Sequence, residues 1–368
     1  MADPEKLDLK STAELEAKYD PEMHFRRLSQ PAKAVAGILL LTMSVWHVWI
    51  AYAGMPQTHL LAAVHLSFVL SICFLVYGAT KRSHDATRSG WWAPGGVPLY
   101  DWLLAAGGVA SALYIPWTLN DLTFRIGNPN WEDVVLGTIL IFTVIEAARR
   151  SMGWPLTIIV LISLLYAVYG YVVPGLLAHP GATWGGVVSH LYLLDQGIFG
   201  IPIQVMATLV FHFVLFGVIA TRMGLGQLFI DIGYCIAGRY PGGPAKVSVI
   251  SSAMMGTISG SSVANTVTTG SLTIPAMKRI GYRPYFAGAV EAASSTGGQI
   301  TPPIMGAAAF VMAEFLAIPY LDICIAAAVP AYMHYAGVLT IVPFEAKKTG
   351  LRGLTAEELP KLGRVLRE

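Results

Sequence analysis

Three observations predict that this sequence folds as an all-α polytopic membrane protein. Hydrophobic residues make up 55% of its 368 residues and charged residues only 12%, whereas charged residues are about a quarter of a soluble domain. Apolar runs of the length that a helix needs to cross a bilayer, about 20 residues, recur along the chain. Two later runs are interrupted by small, polar and helix-breaking residues, which predicts a re-entrant helical hairpin and a broken transmembrane helix beside ordinary scaffold helices.

The first part of the chain predicts a cytoplasmic tail followed by scaffold helices. Residues 1–33 are polar and charged and show no signal-peptide pattern. Arg and Lys residues precede the first apolar span and follow the second and fourth, whereas the loops between them hold one basic residue, Arg125. The positive-inside rule therefore places the N-terminus in the cytoplasm and residues 177–200 in a connector on the opposite side. The five spans predicted within the scaffold region 34–176 are 34–53, 60–79, 100–118, 133–148 and 153–175.

Region 201–345 opens with a span at 203–222 and an amphipathic segment, and then contains the first interrupted run. Between Val247 and Met277 there is no Asp, Glu, His, Lys or Arg, but the centre reads SGSSVANT. The two arms, 247–258 and 267–277, are too short to cross a bilayer. Basic residues follow directly at 278, 279 and 283. This pattern predicts a re-entrant hairpin over 247–277 that enters from the cytoplasmic side with its polar tip at membrane depth.

The second interrupted run, residues 284–317, is long enough to cross the membrane but contains TGGQITPP at its middle. Glycine permits unusual backbone conformations, and proline removes an amide donor. We therefore predict a broken helix made of two half-helices with an unwound joint. A last span at 321–343 and a polar cytoplasmic linker at 346–368 complete the chain.

The two breaks predict sites for an ion and a substrate. Half-helix N-termini suit anions, and unwound carbonyls and hydroxyls suit a cation such as sodium. We predict an ion site at the hairpin tip and an ion or substrate site at the broken helix, with Na⁺ as the coupling ion, no other cofactor and no catalytic residue. The predicted ligands are Ser261, Ser262 and Asn265 at the tip, and Thr296, Gly297, Gly298 and Gln299 at the broken helix.

Sodium is favoured over protons because proton coupling needs a titratable group at membrane depth. Glu291 is the candidate in the first half-helix, and its place near the cytoplasmic end predicts an interfacial or structurally hydrogen-bonded carboxylate. Packing by small residues is the competing interpretation of the tip. An intramembrane protease with Ser261 and His212 as nucleophile and base is disfavoured, because nothing in the sequence pairs them.

A family resemblance rests on GSSVANTVTTGSLTIPAMKRIGYRP and AGAVEAASSTGGQITPPIMGAAAFVMAEF. These segments resemble the fused membrane subunit of TRAP (tripartite ATP-independent periplasmic) transporters of the TAXI type. The similarity covers residues 200–345, and the earlier spans resemble the small subunit in hydropathy and position. It implies a multi-pass permease of the bacterial inner membrane that imports small organic anions, such as carboxylates or amino acids, by sodium symport with an elevator-like motion.

The resemblance also implies partners. These are a periplasmic TAXI-type substrate-binding protein and a second, inverted half of the permease, which would follow the linker-like GLTAEELPKLGRVLRE. The chain is thus expected to be the N-terminal portion of a larger, non-enzymatic assembly that contacts the lipid bilayer and an organic anion but no nucleic acid. Two alternatives remain open: an ion-coupled carboxylate symporter that needs no binding protein, and a membrane scaffold subunit that transports nothing.

Overall fold

The computed structural model describes residues 25–26, 28–80 and 92–355, together with positions 357, 359–360 and 362–365. Most of the predicted N-terminal tail, residues 1–24, lies outside the described residues. The part of the chain that is described is almost entirely helical and contains no strand. The predicted all-α class is therefore confirmed.

The described helices are numbered in chain order. In chain order they are α1 (Gln30–Ala53), α2 (Thr58–Val76), α3 (Leu99–Trp117), α4 (Leu119–Arg125), α5 (Trp131–Met152), α6 (Trp154–Tyr169), α7 (Trp184–Val188), α8 (Ile201–Arg222), α9 (Leu225–Ala237), α10 (Gly243–Ser259), α11 (Ser262–Arg279), α12 (Pro284–Thr296), α13 (Ala307–Leu316), α14 (Tyr320–Lys348) and α15 (Leu362–Val365). A short π-helix, Ser189–Leu193, follows α7, and a second, Met206–Val210, lies within α8.

Five of the described helices are long and apolar enough to cross a membrane: α1, α2, α6 with its extension to Val172, α8 and α14. They coincide with five of the seven full spans that the sequence predicts. The other two spans are occupied by α3 and α5. Helix α5 carries Glu146, Arg149 and Arg150 near its end, which shortens its apolar part. A polytopic membrane protein is therefore confirmed, while the orientation of the N-terminus stays a prediction.

Local sequence explains where these helices begin and end. Helix α1 has Pro31 in its first turn, where a missing amide donor costs nothing, and ends at Gly54 with a positive φ of 107°. The amide of Asn130 donates to Asp133 Oδ2 over 2.9 Å at the start of α5. Helix α5 ends at Gly153 with a φ of 83°. Glycine has no Cβ and so reaches such left-handed conformations without strain.

The chain forms two compact units, residues 21–208 and the region from Leu209 onward, with the boundary inside the π-helical segment of α8. In the first unit, α2, α3 and α5 surround an apolar core that includes Leu70, Phe74 and Leu140. An ion-pair network lies beside this core, where Arg150 is placed over the Phe74 ring. Its contacts are Arg26 to Asp101 at 2.5 Å, Arg150 to Asp101 at 2.7 Å, and Arg150 to Glu146 at 2.8 Å.

In the second unit, α10 and α11 form a helical hairpin packed against α9 and α12, with α14 alongside. Its core is made by apolar side chains from α10, α12 and α14 and from the α11–α12 connection, among them Val249, Tyr282, Val290 and Val342. The two interrupted runs of the sequence therefore lie together in one unit. That unit contains the candidate site.

Candidate functional site

The hairpin turn is shorter than the sequence predicts. Helix α10 ends at Ser259 and α11 begins at Ser262, so only Gly260 and Ser261 are non-helical. Gly260 has a φ of 59°, and a Cβ at this position would lie 2.6 Å from the Met305 carbonyl oxygen. Ser261 Oγ accepts the amide of Ala264 over 3.3 Å and so caps α11. The turn is thus shorter than the interval between the two predicted arms, 259–266, because this cap restarts the helix at once.

The three predicted tip residues differ in their surroundings. Ser261 and Ser262 are half-buried, whereas Asn265 is completely buried within α11. The Asn265 side-chain amide donates to the Ser252 carbonyl of α10 over 2.9 Å, which ties the two arms together. Its amide oxygen lies 3.5 Å from the Thr269 hydroxyl, a distance too long for a strong hydrogen bond. This oxygen is therefore weakly engaged and suited to bind a ligand.

The predicted broken helix consists of α12 and α13, joined by a 3₁₀ turn, Gly297–Ile300, and an irregular segment up to Gly306. Gly297 and Gly298 are buried, and Thr296 and Gln299 are exposed. The Thr296 hydroxyl donates to the Ala292 carbonyl over 2.7 Å and so is directed to its own helix. The Thr296 side chain is thus bonded within α12, and a Cβ on Gly297 would meet His334 and Tyr335 of α14.

The hairpin turn and the broken helix meet directly. Gln299 Nε2 donates to Ser262 Oγ over 3.1 Å. A Cβ on Gly298 would lie 3.2 Å from Asn265 Nδ2, and a Cβ on Gly256 would lie 2.6 Å from the Gly298 Cα. These glycines let two backbones touch where any side chain would separate them. Four of the seven predicted residues, Ser262, Asn265, Gly298 and Gln299, therefore come together.

Backbone carbonyls complete this region, and sequence reasoning missed them. The Gly306 amide donates to the Gln299 carbonyl over 2.8 Å, and a Cβ on Gly306 would lie 3.5 Å from the carbonyl oxygens of both Gln299 and Gly260. These carbonyls, the Asn265 amide and the Ser262 hydroxyl give the hairpin turn and the broken helix a set of uncharged oxygens. Such a set fits a hard monovalent cation. The described residues contain no cluster of His, Cys, Asp or Glu that would hold a transition metal.

Glu291 of α12 has no exposed surface and is hydrogen-bonded, so the prediction of an interfacial or structurally hydrogen-bonded carboxylate is confirmed in its second form. Its carboxylate accepts hydrogen bonds from Ser248 (2.7 Å), Ser252 (3.1 Å) and Ser295 (3.0 Å), and from Thr269 and Thr273. We call these six residues the Glu291 cluster. Helices α10, α11 and α12 each supply two of them, four positions apart. Residues with that spacing lie on one face of a helix, so the spacing was the signal for this cluster that the sequence contained.

Comparison with known proteins shows the family. Residues 139–368 match the family described as the DctM component of the tripartite ATP-independent periplasmic transporter. The chain belongs to this family. The match covers the whole hairpin and broken helix, so this DctM-family chain is a transporter component and not an enzyme. Together with its apolar helices, the family makes it a multi-pass protein of the inner membrane.

Curated relatives of this DctM-family chain include two named permeases and one uncharacterized protein. It is 26% identical to the isethionate TRAP transporter permease protein DctMQ of Oleidesulfovibrio alaskensis, over 64% of this chain and 38% of the relative. It is 29% identical to the C4-dicarboxylate TRAP transporter large permease protein DctM of Rhodobacter capsulatus, over 32% of this chain and 28% of the relative. It is 28% identical to the uncharacterized protein YgiK of Salmonella typhimurium, over 42% of this chain and 32% of the relative. The chain spans about a third of the length of these relatives.

Proposed function

We propose that the chain is the membrane permease component of a sodium-coupled, binding-protein-dependent secondary transporter that imports small organic anions across the bacterial inner membrane. The observation that carries the proposal is the direct contact between the hairpin turn and the broken helix, both of which present neutral oxygen atoms, in a DctM-family chain. Discontinuous helices of this kind form ion and substrate sites in secondary transporters.

Sodium is the coupling ion that the chemistry of this site favours. The Asn265 amide oxygen, the Ser262 hydroxyl and the carbonyls of Gly260 and Gln299 are uncharged oxygens, and no Asp or Glu is among them. A proton needs a titratable acceptor, whereas sodium binds to neutral oxygens. The hairpin would enter the membrane from the cytoplasmic side and move with the broken helix, as the resemblance to TRAP permeases implies.

Small organic anions are the proposed substrate class because related permeases are named for them: isethionate, C4-dicarboxylates and 2,3-diketo-L-gulonate. The predicted ligands include no Arg or Lys. The anion would instead meet the N-terminal end of α11, where unpaired amides and the helix dipole favour negative charge.

The TAXI type, the binding protein and the second half of the permease belong to the same proposal. A periplasmic TAXI-type binding protein would deliver the anion, and an inverted half would supply a second hairpin and broken helix. The support is the resemblance of the site segments to TAXI permeases and the greater length of the relatives. The assignment of residues 34–176 to a fused small subunit also stays a prediction, since the family match already begins at residue 139.

The test is uptake of a labelled organic anion into vesicles that contain the permease with its second half, supplied with the binding protein. Replacing sodium by choline should abolish uptake. Asn265→Ala should lower the apparent sodium affinity about tenfold, which corresponds to a loss of about 1.4 kcal/mol of binding free energy. The matched control is Thr296→Ala, because that hydroxyl donates to its own helix.

Three outcomes would contradict the proposal. Uptake that persists in choline would exclude sodium coupling. Wild-type sodium dependence in Asn265→Ala would exclude the site at the hairpin tip. Uptake that needs no binding protein would favour the binding-protein-independent symporter.

A further inference from the structure

The Glu291 cluster holds a buried carboxylate whose partners are all hydroxyls. Within the described part of the chain, both Glu291 oxygens are contacted by Ser and Thr side chains and by no Lys, Arg or His. An ionised carboxylate without a counter-ion is costly to bury, and hydrogen bonds offset that cost only in part. A bound proton would remove the charge itself.

Other charged and titratable groups on the described helices do not supply the missing counter-ion. The helices that pack against α12 are α10, α11 and α14. Charged and titratable groups on these helices have other contacts or positions: Lys246 lies over the Tyr240 ring, Lys278 and Arg279 lie in the last turn of α11, His334 contacts the Ala293 carbonyl at 2.9 Å, Tyr335 contacts the Thr301 hydroxyl at 3.1 Å, and Asp322, Lys347 and Lys348 lie in the end turns of α14. In the described part of the chain, the side chains that hydrogen-bond to the Glu291 carboxylate are therefore the hydroxyls of its own cluster.

Three of these hydroxyls have a second acceptor within reach. The Thr269 hydroxyl lies 2.8 Å from the Asn265 carbonyl, the Thr273 hydroxyl lies 2.9 Å from the Thr269 carbonyl, and the Ser252 hydroxyl lies 3.1 Å from the Thr269 hydroxyl. Because an ionised carboxylate offers about four lone-pair sites, four of the five hydroxyls fill its capacity and one can use its second acceptor. A protonated carboxyl accepts fewer hydrogen bonds and needs one acceptor of its own.

Both charge states can thus be satisfied by rotating hydroxyl groups alone. With the carboxylate ionised, the hydroxyls donate to it. With the carboxyl protonated, the threonine hydroxyls turn to the backbone carbonyls, and a serine oxygen accepts the carboxyl proton. We infer that Glu291 is a reversible proton-binding site between the hairpin arms and the first half-helix. This inference does not depend on the ion that drives transport, because it concerns the charge of one carboxyl.

The proton site is connected to the hairpin turn through shared hydrogen bonds. Thr269 donates to Glu291 and lies next to the Asn265 carbonyl and amide oxygens, and Ser252 donates to Glu291 while its carbonyl accepts the Asn265 amide. A change of charge at Glu291 redirects the Thr269 hydroxyl toward Asn265. Proton binding at Glu291 is therefore coupled to the geometry of the turn, and only this last step rests on the proposed ion site.

Infrared difference spectroscopy of the full chain in lipid vesicles tests the proton site directly. A protonated carboxyl has a C=O stretching band that an ionised carboxylate lacks. We expect such a band to grow as the pH of the vesicle buffer is lowered and to be lost in Glu291→Gln. The matched control is Glu314→Gln, because Glu314 is exposed on α13 and its removal should leave the buried band unchanged.

A second variant keeps the test decisive if Glu291→Gln does not fold, which circular dichroism would show. Ser248→Ala removes one donor and keeps the carboxyl, so it should shift the frequency of the band without abolishing it. The inference is overturned if the band is absent at every pH at which the chain stays helical, or if the band is present but independent of pH. It is also overturned if the band remains unshifted in Ser248→Ala and undiminished in a folded Glu291→Gln.

Discussion

At the scale of single residues, two glycines decide how closely the hairpin approaches the broken helix. A Cβ on Gly256 would lie 2.6 Å from the Gly298 Cα, which is backbone and cannot turn aside as a side chain can. Gly298 in turn lies against the Asn265 amide. The position of the Asn265 side chain relative to the broken helix therefore depends on the absence of a Cβ at both positions.

We predict that Gly256→Ala destabilises the second unit by about 1–3 kcal/mol, the usual cost of overpacking a close-packed core. The matched control is Gly288→Ala on α12, where a Cβ would meet nothing within 4 Å. Because alanine is the better helix former, that variant should be as stable as the wild type or slightly more so. Chemical denaturation of the chain in detergent, followed by circular dichroism, compares the two. Equal stability of both variants would contradict a tight contact at Gly256.

At the scale of elements, the sequence predicts the hairpin and the broken helix but not the extent of the hairpin turn. Residues 262–266 lie between the two predicted arms, and Ser, Asn and Thr often compete with helical hydrogen bonds. In the structure they are helical, since Ser261 caps α11 and the Thr266 hydroxyl donates to the Ser262 carbonyl over 2.8 Å. A composition that looks helix-breaking is thus accommodated when each hydroxyl bonds within its own helix.

The burial of Glu291 could not be predicted from the sequence, for a different reason. Its position near the start of a membrane passage suggested an interfacial carboxylate, but burial depends on which helices pack around it. Ser248 and Ser252 reach it from 43 and 39 residues earlier in the chain. The four-residue spacing on each helix indicates which face is polar. Only the fold shows that the three polar faces meet.

The residue that fixes the hairpin turn is Gly260, and a comparison with Gly350 separates its two roles. Both have a positive φ, 59° and 67°, so alanine at either position costs about 1–2 kcal/mol for the left-handed backbone. A Cβ at Gly260 would also lie 2.6 Å from the Met305 carbonyl oxygen, whereas one at Gly350 would meet nothing within 4 Å. We therefore predict that Gly260→Ala destabilises the chain more than Gly350→Ala does. Denaturation midpoints measure the difference, and equal midpoints would mean that the turn tolerates a side chain.

At the scale of the whole molecule, the two units contain different kinds of polar interior. In the first, opposite charges meet in the network of Arg26, Asp101 and Arg150, and in the second a lone carboxylate is surrounded by hydroxyls. Removing one partner of a buried ion pair is strongly destabilising, so the first network holds its unit in one arrangement. Hydroxyl hydrogen bonds can instead be exchanged by rotation. The unit with the exchangeable network is the one that contains the candidate site.

Transport should require more of the permease than this chain contains. The chain spans 38% of the isethionate permease and 28% of the C4-dicarboxylate permease to which it is similar, and its hairpin and broken helix offer one set of site oxygens. We predict that vesicles containing this chain with the binding protein take up no labelled organic anion above empty vesicles. Vesicles that also contain the region which the relatives carry beyond the match should show sodium-dependent uptake. Equal uptake with and without that region would mean that one hairpin and one broken helix form a complete site.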